Sequence, residues 1–148
     1  MQDSSKASAG ATRATASFDR ISRLPEDWRL ARAARVNMLL IHTDDIFQDV
    51  LELILLDDFQ EPVATWRPGE PLLLPPVGRT KTMILHNVGA LTPADQRRLL
   101  EWSERAAGRT QVVSTTPTPL MPRVTAGAFI DALYYRLNTV CVDVTAQS

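Results

Sequence analysis

A chain of 148 residues and 16.4 kDa has room for one domain of ordinary size, which excludes a multidomain machine. With 16 Lys plus Arg against 17 Asp plus Glu the net charge is -1, so no overall positive field draws the chain to nucleic acid or acidic lipid, and any such contact has to be local. The 45% hydrophobic content suits a folded core. A single cysteine, Cys141, cannot close an internal disulfide, and two histidines without further thiols argue against a structural zinc. That usage fits a reducing cytoplasm, and apolar runs such as residues 72–74 are far short of the ~20 residues of a membrane span.

In chain order, residues 1–20 (MQDSSKASAGATRATASFDR) bury almost nothing and are expected to form a disordered tail without the apolar stretch of a secretory signal. Residues 21–36 read as a basic helical lead-in. Pro25-Glu26-Asp27 suits the first turn, and Arg32 and Arg35 suit the far end of the dipole. The arginines from Arg20 to Arg35 face solvent on this reading, with phosphate or an acidic partner as the alternative.

From there strand and helix signals alternate. Residues 36–41 (VNMLLI) are a nearly continuous apolar run, as in a strand buried on both faces. A helix capped by Thr43 or Asp44 follows, with Ile46, Phe47, Val50, Leu51, Ile54 and Leu55 on its apolar side. Residues 62–66 read as a second strand, 67–71 as a Pro-Gly turn and 82–85 as a third strand. Thr92-Pro93-Ala94-Asp95 starts a helix by hydroxyl cap, proline and acid, and Gly108 stops it. Residues 111–114 are a fourth strand, followed by one or two helical turns near Leu120, Met121 and Val124. Residues 128–137 are a helix with Phe129, Leu133 and Leu137 on one side, and 139–144 a last strand in which Cys141 is expected to be buried. Trp102, Tyr134 and Tyr135 are expected to pack at least partly inside. The alternation predicts a three-layer αβα sandwich around a mostly parallel sheet.

An open sheet of that kind holds ligands at the carboxyl ends of its strands. A phosphate loop there needs glycines and a lysine, but the first strand continues as His42-Thr43-Asp44-Asp45. Those aspartates are assigned to helix capping, which the dipole favours by itself.

Residues 82–140 resemble the central AAA+ domain of sigma-54-dependent transcriptional activators, the bacterial enhancer-binding proteins. Residues 81–91 (KTMILHNVGAL) are similar to the family's Walker B segment GGTLFLDEIGEL, and Gln96-Arg97-Arg98-Leu99-Leu100-Glu101 to its LQ-x-x-LLR helix. Val112-Val113-Ser114-Thr115-Thr116-Pro117 is similar to the sensor strand. Residues 127–140 (GAFIDALYYRLNTV) match G-x-FREDLYYRLNVV, the longest of these runs. Upstream, residues 38–66 fit the family by pattern.

The resemblance implies an AAA+ core without phosphate loop or helical lid over residues 37–148, and it implies lost chemistry. The family's magnesium-holding aspartate falls on His86, its water-activating glutamate on Asn87 and its sensor asparagine on Pro117. An amide is no base at neutral pH, and imidazole is a poor ligand for a hard cation. The first trans-acting arginine falls on Ile130, and the second is retained as Arg136. The loop that grips sigma-54 has no counterpart between Trp66 and Lys81. The expectation is therefore a non-enzyme with no catalytic residue and no metal or cofactor, although ATP and magnesium are the family's ligands. It would act in transcription control by contact with a protein partner or with itself, an active AAA+ activator included, through Arg136, Tyr134 and Tyr135. Membrane and direct DNA binding are not expected. Residual nucleotide binding or slow hydrolysis, and an adaptor for an unrelated partner, are the alternatives. For Arg136 itself, a structural ion pair with Asp131 stands beside docking.

Overall fold

The computed structural model describes residues 35–42 and 60–143. The predicted tail, the lead-in before Arg35, the predicted helix after residue 43 and the end of the last predicted strand lie outside them. Each of the five predicted strands is present among the described residues: β1 (Met38–Ile41), β2 (Val63–Trp66), β3 (Thr82–Leu85), β4 (Gln111–Thr116) and β5 (Val140–Asp143). All pair in parallel, in the order β2-β3-β4-β1-β5.

The three central strands are buried at every position, as the short apolar runs required. β4 is longer than the sequence indicated. Thr115 and Thr116 continue it because β1 runs alongside, pairing Leu40 with Thr115 and Ile41 with Thr116. One sheet face carries Leu39, Met83, Leu85 and Val112, which form a core with Leu99, Trp102, Leu120, Phe129, Leu133 and Leu137. Each fully buried leucine of that set contributes ~1.5–3 kcal/mol. The other face carries Met38, Leu40, Ile84, Val113 and Val142, which are buried as well.

The helix α1 (Pro93–Ala106) starts as its sequence signals demand. Thr92 Oγ1 accepts from the Asp95 N–H at 3.1 Å, and Pro93 occupies the first turn, where its missing N–H costs nothing. Gly108 ends it with φ 78, a left-handed conformation open to glycine. The inward face comprises Gln96, Leu99, Trp102, Ser103 and Ala106. Two bonds tie the Pro-rich β2–β3 connection onto this helix: Trp102 Nε1 donates to the Pro75 carbonyl at 2.7 Å and Arg98 Nη2 to the Leu72 carbonyl at 3.1 Å.

A short α2 (Met121–Thr125) precedes α3 (Asp131–Leu137). The last helix therefore begins at Asp131, and residues 128–130 are not helical as predicted. Its helical periodicity is overridden by Gln96, a buried polar residue of α1. Gln96 Nε2 donates to the Ala128 carbonyl at 3.2 Å and the Leu91 carbonyl at 3.1 Å, while its Oε1 accepts from the Ile130 N–H at 2.9 Å. These bonds hold the bend at residues 128–129 and the extended Ile130 that lead into α3. Gln96→Ala removes all three and leaves buried backbone groups unsatisfied, so a loss of about 2–3 kcal/mol is expected in urea unfolding. A loss below about 0.5 kcal/mol would show that the amide is dispensable.

Candidate functional site

β1 and β4 are neighbours whose onward connections leave in opposite directions, β1 toward β2 and β4 toward β5. Their carboxyl ends therefore form the crevice in which an open α/β sheet holds a ligand. The residues at these ends are His42 after β1, His86 and Asn87 after β3, and Thr115, Thr116 and Pro117 on and after β4. Both histidines are buried, Asn87 is half-buried and Pro117 is exposed. Register sets His86 beside Thr115, and the His42 N–H donates to the Thr116 carbonyl at 3.0 Å, so the sheet brings these residues together.

Several polar groups here are engaged within the chain. Asn87 takes the left-handed conformation (φ 47), which aims its N–H at Thr115 Oγ1, 3.1 Å away. Thr116 Oγ1 donates to the Thr118 carbonyl at 2.7 Å, and the His86 N–H to the Trp66 carbonyl at 3.0 Å. The side-chain set at these positions is imidazole, amide and hydroxyl. Among the described residues at these positions there is no carboxylate, the group that holds a divalent cation or accepts a proton from water. Among the described residues no group of three or more His, Cys, Asp and Glu could hold a metal ion.

The residues singled out on α3 differ in placement. Tyr135 is 65% exposed and does not pack inside as predicted, because it lies on the face of α3 opposite Leu133 and Leu137. Tyr134 is half-buried; its hydroxyl accepts from Asn138 Nδ2 at 3.0 Å and its ring meets that of Tyr135 edge-on at 5.3 Å. Trp102 is buried as predicted.

Arg136 is half-buried, and its Nε is enclosed without a hydrogen-bond partner. The Asp131 carboxylate instead bonds within the first turn of its own helix, its Oδ1 accepting from the Ala132 N–H at 2.7 Å. What anchors Arg136 is its main chain, whose carbonyl accepts from Asn37 Nδ2 at 3.0 Å. Asn37 was not singled out in the sequence, where it is an unremarked polar residue before an apolar run. It also accepts from the Val112 N–H at 2.9 Å through Oδ1, and its carbonyl accepts from the Val140 N–H at 3.1 Å.

Cys141 is exposed on the edge strand β5, in contrast to the predicted burial. Strand alternation buries Val142 instead, and β5 lies at the edge of the sheet among the described strands. Partial desolvation, followed by the charge of Asp143, pushes the thiol pKa up from its ordinary value. A separate cleft of about 540 Å³ lies between the Pro-rich connection and α1, lined by Leu74, Pro75, Val77, Arg98, Trp102 and Arg105 among others. It is built from α1 and the connection rather than from the strand ends.

No family model matches the chain, and no curated protein does. Solved structures do. NtrX from Brucella abortus in complex with ATP superposes at TM-score 0.59 and 13% identity over 91% of this chain and 35% of that one. NtrX in complex with ADP gives 0.55 and 14% over 74% and 32%, and a third NtrX structure 0.58 and 14% over 90% and 40%. The chain thus has the α/β fold found in these NtrX structures, and it spans only about a third to two fifths of those chains.

Two expectations follow from the contacts. Asn37→Ala, which cuts β1 from both β4 and α3, should cost about 2–3 kcal/mol, whereas Arg136→Ala should cost about 1 kcal/mol or less because the main-chain bond survives. Denaturant titrations of both variants compare them. Cys141 should be protonated at pH 8, so its alkylation by iodoacetamide should be slower than that of a free cysteine and should still rise above pH 9. A rate that levels off below pH 8 would contradict the raised pKa.

Proposed function

We propose that this chain is a non-catalytic module with the AAA+ fold, acting in transcription control through protein contact. The observation that carries the reading is the donor set at the strand ends, His42, His86, Asn87 and Pro117; the sequence resemblance implies that these positions answer to the family's phosphate loop, two carboxylates and sensor amide. The NtrX structures in complex with ADP and ATP mark the ligand that such a crevice takes in a fold relative. Losing the phosphate loop removes the main source of nucleotide affinity, since consecutive N–H groups at a helix start supply most of the hold on phosphate. The sequence resemblance to sigma-54-dependent activators supports the regulatory setting. On this reading the protein works in the cytoplasm, and no helix among the described residues is long and apolar enough to cross a membrane.

The contact surface is assigned to α3, where Tyr135 is the large exposed apolar side chain and Arg136 and Tyr134 flank it. Its occupant is a second copy of this chain or an active AAA+ activator.

Isothermal titration with ATP and magnesium should show no saturable binding tighter than about 1 mM. The double variant His86→Asp, Asn87→Glu should remain without ATPase activity, because the phosphate loop is still missing. Micromolar binding with turnover in the unaltered protein would overturn the reading. A Tyr135→Ala, Arg136→Ala variant should elute later than the parent from a sizing column, or lose its activator partner, with its melting temperature nearly unchanged.

A further inference from the structure

We propose that the cleft between α1 and the Pro-rich β2–β3 connection is a binding site for a free α-amino acid with a large apolar side chain. One wall is a single stripe of α1, Arg98, Glu101, Trp102 and Arg105, which helical spacing puts on one face. The other wall is residues 74–77 of the connection. A volume of about 540 Å³ is that of an ordinary small-molecule cleft. Every lining residue is among those described, and none lies at the strand ends or on α3, so the inference does not rest on the functional reading above.

The walls are held in place without a ligand. Arg98 Nη2 donates to the Leu72 carbonyl at 3.1 Å and Trp102 Nε1 to the Pro75 carbonyl at 2.7 Å, so the connection is pinned to α1 at two points. Leu72 is buried in the core, and the Arg79 N–H donates to the Pro76 carbonyl at 3.1 Å to close the following turn. A ligand entering here therefore has little backbone to order, which is the usual cost of binding to a loop. With its N–H engaged, the Trp102 ring offers only carbon to the cleft, as do the side chains of Leu74, Pro75, Pro76 and Val77.

The charges beside that apolar surface select the ligand's head group. Arg98 is committed, its Nη1 paired with Asp95 Oδ1 at 3.1 Å. Glu101 and Arg105 are exposed, and among the described residues neither side chain makes an ion pair or a hydrogen bond. The cleft thus carries one carboxylate and one guanidinium that are both open to a ligand. A simple carboxylic acid meets Glu101 as a like charge and a simple amine meets Arg105, whereas a zwitterion satisfies both. Side chains four residues apart on a helix start only ~5–6 Å from each other, so the ligand's two charges have to be close together. In a free amino acid they flank a single carbon, while the termini of an extended tripeptide are up to ~10 Å apart. A nucleotide brings several negative charges to one open cation and a carboxylate, and does not match.

Isothermal titration of the full chain with L-phenylalanine, in the absence of nucleotide, tests this separately from the question of ATP. Saturable binding is expected with a Kd of about 1 mM or tighter, as suits a ligand of about twelve non-hydrogen atoms. Phenethylamine, which lacks the carboxylate, 3-phenylpropionate, which lacks the ammonium, and L-alanine, which lacks the large side chain, should each bind about tenfold more weakly or worse. Arg105→Gln should lower the affinity for phenylalanine to that for phenethylamine, and Glu101→Gln should lower it to that for 3-phenylpropionate. A merely structural role would not sort the losses by the ligand's charge. Both side chains are exposed and unbonded, so the melting temperatures of the two variants should match the parent's. Arg97→Gln, on the exposed side of α1, should bind within about twofold of the parent. The proposal is overturned by absence of saturable binding up to about 10 mM phenylalanine, by equal affinity for phenethylamine or 3-phenylpropionate, or by an equal loss in Arg97→Gln. Tighter binding of a phenylalanine-containing tripeptide would overturn it by assigning the cleft to a peptide partner, and a dimer in sedimentation that Glu101→Gln dissolves would overturn it by assigning the cleft to a second copy.

Discussion

Asn37 is the residue through which β1 takes its place in the sheet. Its side chain accepts from β4 and donates to the end of α3, and its carbonyl accepts from the first residue of β5. In a parallel sheet the neighbours of a strand arrive from far along the chain, and no hairpin fixes their register. Here one residue, through its side chain and its carbonyl, sets β4 and β5 on either side of β1 at once. The switch point and the crevice at the carboxyl ends depend on that arrangement, because each is made of residues that only this strand order brings side by side.

The two ends of the sheet differ in how their polar groups are treated. At the carboxyl ends the donors and acceptors are turned inward: Asn87 onto Thr115, Thr116 onto Thr118, and His42 and His86 buried beside them. At the amino ends Arg79, Lys81 and Arg109 are exposed, and none of them forms an ion pair among the described residues.

Gln96 shows how one buried polar group can overrule local preference. The stretch around Phe129 has helical spacing, but an unsatisfied amide inside the core would be costly, and the non-helical backbone at residues 128–130 supplies its partners. The same bonds place Phe129 in the core and set the direction in which α3 leaves. Tyr135 is exposed as a consequence of that direction, which the spacing of the segment alone could not supply.

Local rules made much of the architecture legible from the residues. The apolar runs of β1 and β3, the Thr92-Pro93 start of α1 and its Gly108 stop depend on neighbours within a few positions, and they appear where the sequence placed them. The resemblance carried by residues 127–140 indicated the fold that the NtrX structures share. What only the tertiary structure decided involves partners distant in sequence. β4 is extended by β1, α3 is shortened by Gln96, Cys141 is opened to solvent because β5 is an edge, and Asn37 becomes a junction. Strand order itself belongs to this second group, because hydrophobic periodicity does not encode which strands become neighbours.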